Sequence, residues 1–576
     1  MPLTPFQVTG SNAKAAFTLK LHRGEGMVLL GMNWGEGTPP MDFVGFAIEY
    51  QVPGAAGFVP VMNRLAFPQP DGEVNPQTLS SLQSPIQKFR WVHFPPDASQ
   101  PGDFRYRVTP VFMDPQGKLS YGPAQEAPIG LGADTYPDEL NVAFTRGFVS
   151  SQAFVDKFTQ DGHSLDELLP SDPDQGLSFK PTHPDAQKAF AWMGFEARDA
   201  ILSALDEAVK DNQAKVQVIA YDLNEPEVVD RLKALGNRLR IIIDDSGSHR
   251  PATSAESQAE ALLRQSAGEG NVIRQHMKNL QHNKTIVVRS PTRNAVVCGS
   301  TNFSWRAFFV QSNNAVVLKS KEAADVFGAA FDVYFEATIA NRRSPGPIFQ
   351  RGPATAWTAL QMPSIDAKVT FSPHPDDGGV LDQVAADVDT AESSVLFSLA
   401  FLYQTQGAMR DAIQRLEEDP KVFVYGMSDR RVGGLDMKNA DGHFELSEPE
   451  YLHGTNIPEP FKSEPSGVPG IRLHHKFLVV DFDKPTARVY MGSYNFSSPA
   501  DIENGENLLV IKDQRVASAY MVEALRLFDH YEFRARQTKA GSKLELATPP
   551  KTADDKPWWD RYWTEPARAR DRELFS

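Results

Sequence analysis

Over the first ~130 residues, apolar positions recur in steps of two. Val44, Phe46, Ile48 and Tyr50 alternate with Gly45, Ala47 and Glu49, and Phe104, Tyr106 and Val108 alternate with Arg105 and Arg107. DPQG at 114–117 then reads as a tight turn. Short strands punctuated in this way predict a small β-sandwich over residues 1–132. From about residue 135 strands and helices alternate. AKVQVIAYDL is a strand, EPEVVDRLKAL a helix and RLRIIIDD a strand, and SSVLFSLAFL, GAMRDAIQRLEED and KVFVYGMSD repeat that order. Aligning Ala220 with Ala400 and His282 with His474 predicts two similar α/β halves, 133–345 and 346–576. Each has a parallel or mixed sheet flanked by helices. The Pro- and Gly-rich stretch 342–364 is the predicted crossover between them. The long polar stretch 429–472, with little periodicity, is a candidate lid beside a site.

Composition narrows the classes. At 576 residues the chain is too long for one core, and 41% apolar residues are ample for packed domains. A net charge of −15 disfavours proteins that grip long nucleic acid, and non-specific attraction to anionic membrane surfaces as well. The single cysteine, Cys298, sits in an apolar run and reads as an inert core thiol, with no disulfide possible. The N-terminal residues show no basic segment followed by an apolar one, and no stretch reaches the ~20 apolar residues of a membrane span. The expectation is a soluble cytoplasmic protein of bacterial style, or one exported without an N-terminal signal.

Two phrases carry the chemistry: QHNKTIVVR at 281–289 and LHHKFLVVD at 473–481. Each holds a histidine, a free position, a lysine and an apolar run that reads as a buried strand. Residues two apart on a strand share a face, so His282 points with Lys284 and His474 with Lys476, while His475 points away. After a turn, VVCGSTNF returns Gly299, Ser300 and Asn302 to the same end of the sheet, and RVYMGSYNF returns Gly492, Ser493 and Asn495. One such histidine or turn has a bland explanation; the same residue types in the same order twice do not. A lysine has no reason to enter an apolar strand twice unless an anion waits there. HPDD at 374–377 reads as a turn, and no convincing cluster of metal-ligand carboxylates or histidines is visible. The aromatic run KPWWDRYW (556–563) reads as a packing strap, the edge of a lipid or organic-substrate site being the alternative.

In these residues the chain resembles the phospholipase D superfamily, whose signature is H-x-K-x4-D followed by G-S-x-N. The second half matches at His474, Lys476, Asp481, Gly492, Ser493 and Asn495, and the first at His282, Lys284, Gly299, Ser300 and Asn302, with Arg289 where the family has aspartate. The resemblance covers residues 135–576 and implies hydrolysis or transfer of a phosphodiester through a phosphohistidine, with no metal and no cofactor. It implies His282 as nucleophile and His474 as acid and base, with Lys284, Lys476, Asn302 and Asn495 holding the phosphate oxygens, supported by Ser300 and Ser493. The family places an orienting partner downstream of each histidine. Counting along each half gives Asn313 for His282 and Glu506 for His474, whose pKa the glutamate would raise. Asp481 reads as partly structural, so Arg289 leaves the first copy its chemical atoms. Acidic charge favours a phospholipid or small phosphodiester. A nuclease of the same superfamily is the alternative, and a non-catalytic phosphate-binding interaction protein the second. FRYRVTPVFMDPQGKLSYGP resembles the last hairpin of a fibronectin type III or immunoglobulin-like domain, which implies a docking or stabilising module open to a protein partner.

Overall fold

The computed structural model describes residues 3–576 except Arg64, 69–78, Asp97, Ala133, 148–153, 155–156, 160–161, 377–378, 401–406, 428–472, 541–544 and Ala553, with backbone alone over 531–540. The candidate lid at 429–472 lies outside the described residues.

Two antiparallel sheets form the N-terminal module. One orders strands Gln7–Thr9, Phe17–Arg23, Val28–Trp34 and Arg90–His93. The other orders Leu119–Tyr121, Asp103–Met113, Phe43–Gln51 and Val59–Pro60, with Gln125–Gly130 also on Asp103–Met113. Phe104, Tyr106 and Val108 fill the space between the sheets with Phe17, Leu19 and Leu21, while Arg105 stays exposed, as the alternation requires. One position departs from the simple pattern. A register shift between Phe43 and Gly45 changes the phase of its strand, so Phe43 joins Phe46 and Ile48 in the core. Val44 instead packs on the opposite face with Val111 and Met113. The aromatic run at the other end of the chain closes over this module. Trp559 belongs to its core, Trp558 stacks on Phe89, and the indole N–H groups of Trp558 and Trp563 donate to the carbonyls of Phe43 (3.0 Å) and Gly37 (3.1 Å). A Cβ on Gly31 would lie 1.9 Å from the Phe575 carbonyl oxygen, so the chain end lies directly on the strand Val28–Trp34.

Apart from the short antiparallel pair Met62–Asn63 and Leu79–Ser80, the remaining described strands form two seven-stranded mixed sheets. The first contains β1 (Leu140–Phe144), β2 (Lys215–Ala220), β3 (Leu239–Asp244), β4 (Val272–Gln275), β5 (Thr285–Arg289), β6 (Asn294–Gly299) and β7 (Asn314–Leu318), in the order β1-β7-β6-β5-β2-β3-β4. The second contains β8 (Thr358–Ala359), β9 (Asp366–Ser372), β10 (Ser394–Leu399), β11 (Phe423–Met427), β12 (Lys476–Val480), β13 (Arg488–Gly492) and β14 (Glu506–Lys512), in the order β8-β9-β14-β13-β12-β10-β11. The pairs β2–β3 and β10–β11 are parallel, and β2–β5 and β10–β12 antiparallel, so the halves repeat each other over six strands, with β4 and β8 as edge strands that have no counterpart among the described residues. Ile219 faces Thr285 where Ser398 faces Phe477. The repeat is therefore one residue shorter than the alignment of Ala220 with Ala400 suggests.

One apolar core lies between the sheets. It takes Val287 from β5, Phe477 and Val479 from β12, and residues such as Phe331 and Tyr520 from the helices Lys321–Ala340 and Gln514–Ala540. Ile286 and Val288 point to the opposite face, against the helices of the first half, and Leu478 and Val480 do the same in the second. The period of two then sends His475 into the shared core, where its Nε2 lies 2.9 Å from Glu523. Cys298 is buried in the same core. Among the described residues no helix is long and apolar enough to cross a membrane.

Asp481 and Arg289 end equivalent strands and do different work. Asp481 accepts hydrogen bonds from the backbone N–H groups of Glu392 (3.0 Å), Ser393 (2.8 Å) and Ser394 (3.2 Å) and from the Ser393 hydroxyl (3.2 Å). Arg289 instead donates to Gln217 and lies 3.9 Å from Asp325 on the helix beneath.

Candidate active site

The two H-x-K segments meet where the halves join. The His282 N–H donates to the Gly505 carbonyl (2.8 Å), and the His474 N–H to the Ser312 carbonyl (3.1 Å). Parallel bridges Gln281–Gly505 and Ser312–Leu473 accompany them. Each histidine thus rides on the segment that leads into the last strand of the opposite half. Glu506 opens β14 and Asn313 immediately precedes β7, so the orienting groups cross over. His282 Nδ1 lies 2.8 Å from Glu506 Oε2, and His474 Nδ1 lies 2.8 Å from Asn313 Oδ1. This corrects the assignment made by counting along each half, which paired Asn313 with His282 and Glu506 with His474. Counting identifies the repeat position, but the pseudo-symmetric pairing of the halves delivers that residue to the other histidine.

The ring centroids of His282 and His474 stand 6.5 Å apart, nearly perpendicular. Asn313 donates its own amide to the Ala307 carbonyl (3.0 Å), and Ser300 donates to Asn313 Oδ1 (3.0 Å). Asn313 Oδ1 therefore faces His474 and can only accept, which places the proton on Nδ1 and leaves Nε2 for chemistry. Ser493 plays the matching part, accepting from the Asn507 N–H (3.0 Å) and hydrogen-bonding Glu506. Gly299 and Gly492 precede these serines at φ +140° and +149°. A Cβ there would lie 2.5 Å and 2.3 Å from the carbonyl oxygens of Asn314 and Asn507 on the adjacent strand, so only glycine fits. Lys284 and Lys476 donate to the carbonyls of their own histidines, Lys476 at 2.7 Å. Asn302 is buried and Asn495 half-buried, and the Oδ1 atom of each has no partner among the described residues.

Burial and the two lysines push both imidazoles well below the ordinary histidine range. The expectation that glutamate raises the pKa of His474 fails on both counts: the glutamate is elsewhere, and His474 is lowered. Burial also lifts Glu506 to about 8 and lowers Lys284 to about 7. The two histidines and Lys284 on their own thus hold fewer protons than they would in water, and an anion placed between the lysines restores them. Diester binding at pH 8 is therefore expected to take up protons, with affinity falling as pH rises above about 7, the Lys284 value. Calorimetric titration in two buffers of different ionisation enthalpy checks this; equal heats in both would contradict it.

Three residues escaped sequence reasoning. Asp222, His249 and Glu256 place ligand-type atoms within 4.8 Å of one another beside Asn302, a cluster assembled from separate segments with no spacing motif to reveal it. HPDD also hides a structural pin: His374 is buried, with Nδ1 2.7 Å from Asp501 and Nε2 2.8 Å from Thr370.

Comparison with known proteins matches two stretches, 201–334 and 386–528, to a family described as cardiolipin synthase, phospholipase D-like domain. A phospholipase D from Rickettsia conorii is 43% identical over 54 residues, which are 9% of this chain and 24% of that protein. The match therefore spans about a quarter of that curated relative. Among solved structures, phosphatidylserine synthase from Haemophilus influenzae is similar at 14% identity and a TM-score of 0.39, over 66% of this chain and 93% of that one. Nuc from Salmonella typhimurium, a phospholipase D family member, is similar at 21% identity and a TM-score of 0.20, over 30% of this chain and 96% of that one. One matched stretch lies in each repeated half, each half contributing one histidine to a shared site, and these two domains of the chain belong to the phospholipase D superfamily.

Proposed function

We propose that this protein is a metal-independent phosphodiesterase in which His282 is the nucleophile and His474 the general acid and base. The observation that carries the reading is the crossed pairing of Glu506 with His282 and Asn313 with His474. Nε2 of His282 attacks phosphorus, the bond to the leaving oxygen breaks, and His474 gives that oxygen its proton. His474 then takes a proton from water or an alcohol, whose oxygen attacks phosphorus and breaks the P–N bond. The imidazole that becomes phosphorylated acquires positive charge, which a carboxylate stabilises and an amide does not. The amide-held imidazole gives up its proton more readily. Lys284, Lys476, Asn302 and Asn495 receive the non-bridging oxygens, where charge grows in the transition state.

The substrate class that fits best is a phospholipid or small phosphodiester. The chain carries a charge of −15, and beside the histidines Lys284 stands among the acidic side chains of Glu506, Asp222 and Asp244, with Glu506 also near Lys476, a field suited to one phosphate. Hydrolysis of phospholipid vesicles and of single- and double-stranded DNA, assayed side by side in EDTA, tests this. Release of lipid headgroup without DNA cleavage is the expected result. DNA cleavage alone would establish the nuclease reading, and tight phosphate binding without turnover the binding-protein reading.

A further inference from the structure

Behind Asn302 lies a polar cluster that the two-histidine chemistry does not use. Asp222 follows β2, Asp244 closes β3, and His249 and Glu256 come from the segment after it. The His249 ring spans two carboxylates. Its Nδ1 lies 2.8 Å from Asp244 Oδ2 and its Nε2 3.2 Å from Asp222 Oδ1, with Glu256 Oε1 at 3.9 Å. Asp244 Oδ1 accepts the Gln281 N–H (2.7 Å), one residue before His282, and Glu256 accepts the Leu223 N–H (2.9 Å). The Tyr221 ring sits between His249 and His282, 4.7 Å from each. Burial opposes charge on His249, but hydrogen bonds to Asp222 and Asp244 outweigh it and lift the imidazole to about 10. The ring is therefore a cation between two anions.

Asp222 has a second oxygen, and Asn302 Nδ2 donates to it at 2.6 Å. A carboxylate only accepts, so the amide nitrogen must face it and the amide cannot flip. One amide hydrogen is committed to Asp222, and the plane of the group fixes where the other points. We propose that Asp222, clamped by His249 and Asp244, is a positioning residue for Asn302, presenting its remaining amide hydrogen to a non-bridging oxygen of the bound phosphate. This rests on the phosphodiester reading above. The same network holds the backbone of Gln281, so it ties the phosphate-binding asparagine to the start of the nucleophile's segment.

A double-mutant cycle on the binding of inorganic phosphate at pH 7, followed by calorimetry, tests the proposal. Asp222→Ala and Asn302→Ala are each expected to weaken binding about tenfold, the size of one charge-assisted hydrogen bond. If Asp222 acts through Asn302, the double variant binds no more weakly than Asn302→Ala. Asp222→Asn keeps an oxygen acceptor and is expected to stay within about threefold of the wild type. An additive double variant, or an Asp222→Ala protein that binds as the wild type does, would overturn the proposal. Should Asp222→Ala fail to fold, the cycle is run with His249→Gln, which loosens the clamp without touching Asn302. Stoichiometric Zn²⁺ binding that His249→Gln abolishes would also overturn it, because a metal ion would then replace the proton that joins His249 to Asp222. Absence of phosphate binding in the wild type would remove the phosphodiester reading itself. Phosphate binding and turnover with an additive cycle would remove the positioning role alone.

Discussion

His474→Asn is expected to accumulate a phosphorylated His282, whereas His282→Asn is expected to form no covalent adduct. Both should lose at least about 10³-fold in steady-state turnover, since one lacks the nucleophile and the other proton transfer in both steps. The asymmetry comes from the second half of the reaction. With an activated leaving group such as p-nitrophenolate, attack by His282 needs no general acid, so the first step survives in His474→Asn. Hydrolysis of the adduct needs a base to activate water, and that base is missing. Glu506, 2.8 Å from His282 Nδ1, draws the Nδ1 proton of the phosphorylated ring toward itself, which makes the imidazole a poorer leaving group and lengthens the adduct's life. Mass spectrometry of peptides from an alkaline quench reads the result directly. A phosphate on His474 in the His282→Asn protein would reverse the roles, and an adduct in neither would argue against covalent catalysis.

Asp481→Ala is expected to cost about 3 kcal/mol or more, with loss of ordered protein, because each buried donor left without an acceptor costs ~1–3 kcal/mol. Three backbone N–H groups and the Ser393 hydroxyl converge on this carboxylate, which is 1% exposed. Arg289→Ala, at the equivalent strand end, should cost less than about 1 kcal/mol, since its partner acid is half-exposed and 3.9 Å away. Thermal unfolding of the two variants separates these outcomes. A larger loss from Arg289→Ala would mean that the arginine has taken over the aspartate's structural role. The departure from the family signature in the first half therefore bears on how a turn is satisfied and leaves His282, Lys284 and Asn302 in their places around the shared cleft.

Much of the site was legible because its pattern is local. A histidine and a lysine two apart before an apolar run must share a strand face, and Gly-Ser-x-Asn at the end of the next strand must return to the same edge. Repetition of both made the pairing of halves readable. The orienting residues were found at the right positions but given to the wrong histidines, because strand equivalence within a half says nothing about which half's histidine lies alongside. The His249 cluster was invisible for a related reason: Asp222 follows β2, whereas Asp244, His249 and Glu256 lie at the end of β3 and just after it, and the two segments meet only when β2 and β3 align in parallel. In the sandwich, a register shift at Phe43–Gly45 moved one residue out of phase, which alternation alone does not foresee.

Hydrolysis of bis(p-nitrophenyl) phosphate in excess EDTA by the wild type, His282→Asn and His474→Asn tests the central claim, that two halves build one two-histidine site. Turnover that survives EDTA and disappears in both variants is the predicted result. Turnover that stops on chelation, or that is indifferent to either histidine, would contradict it.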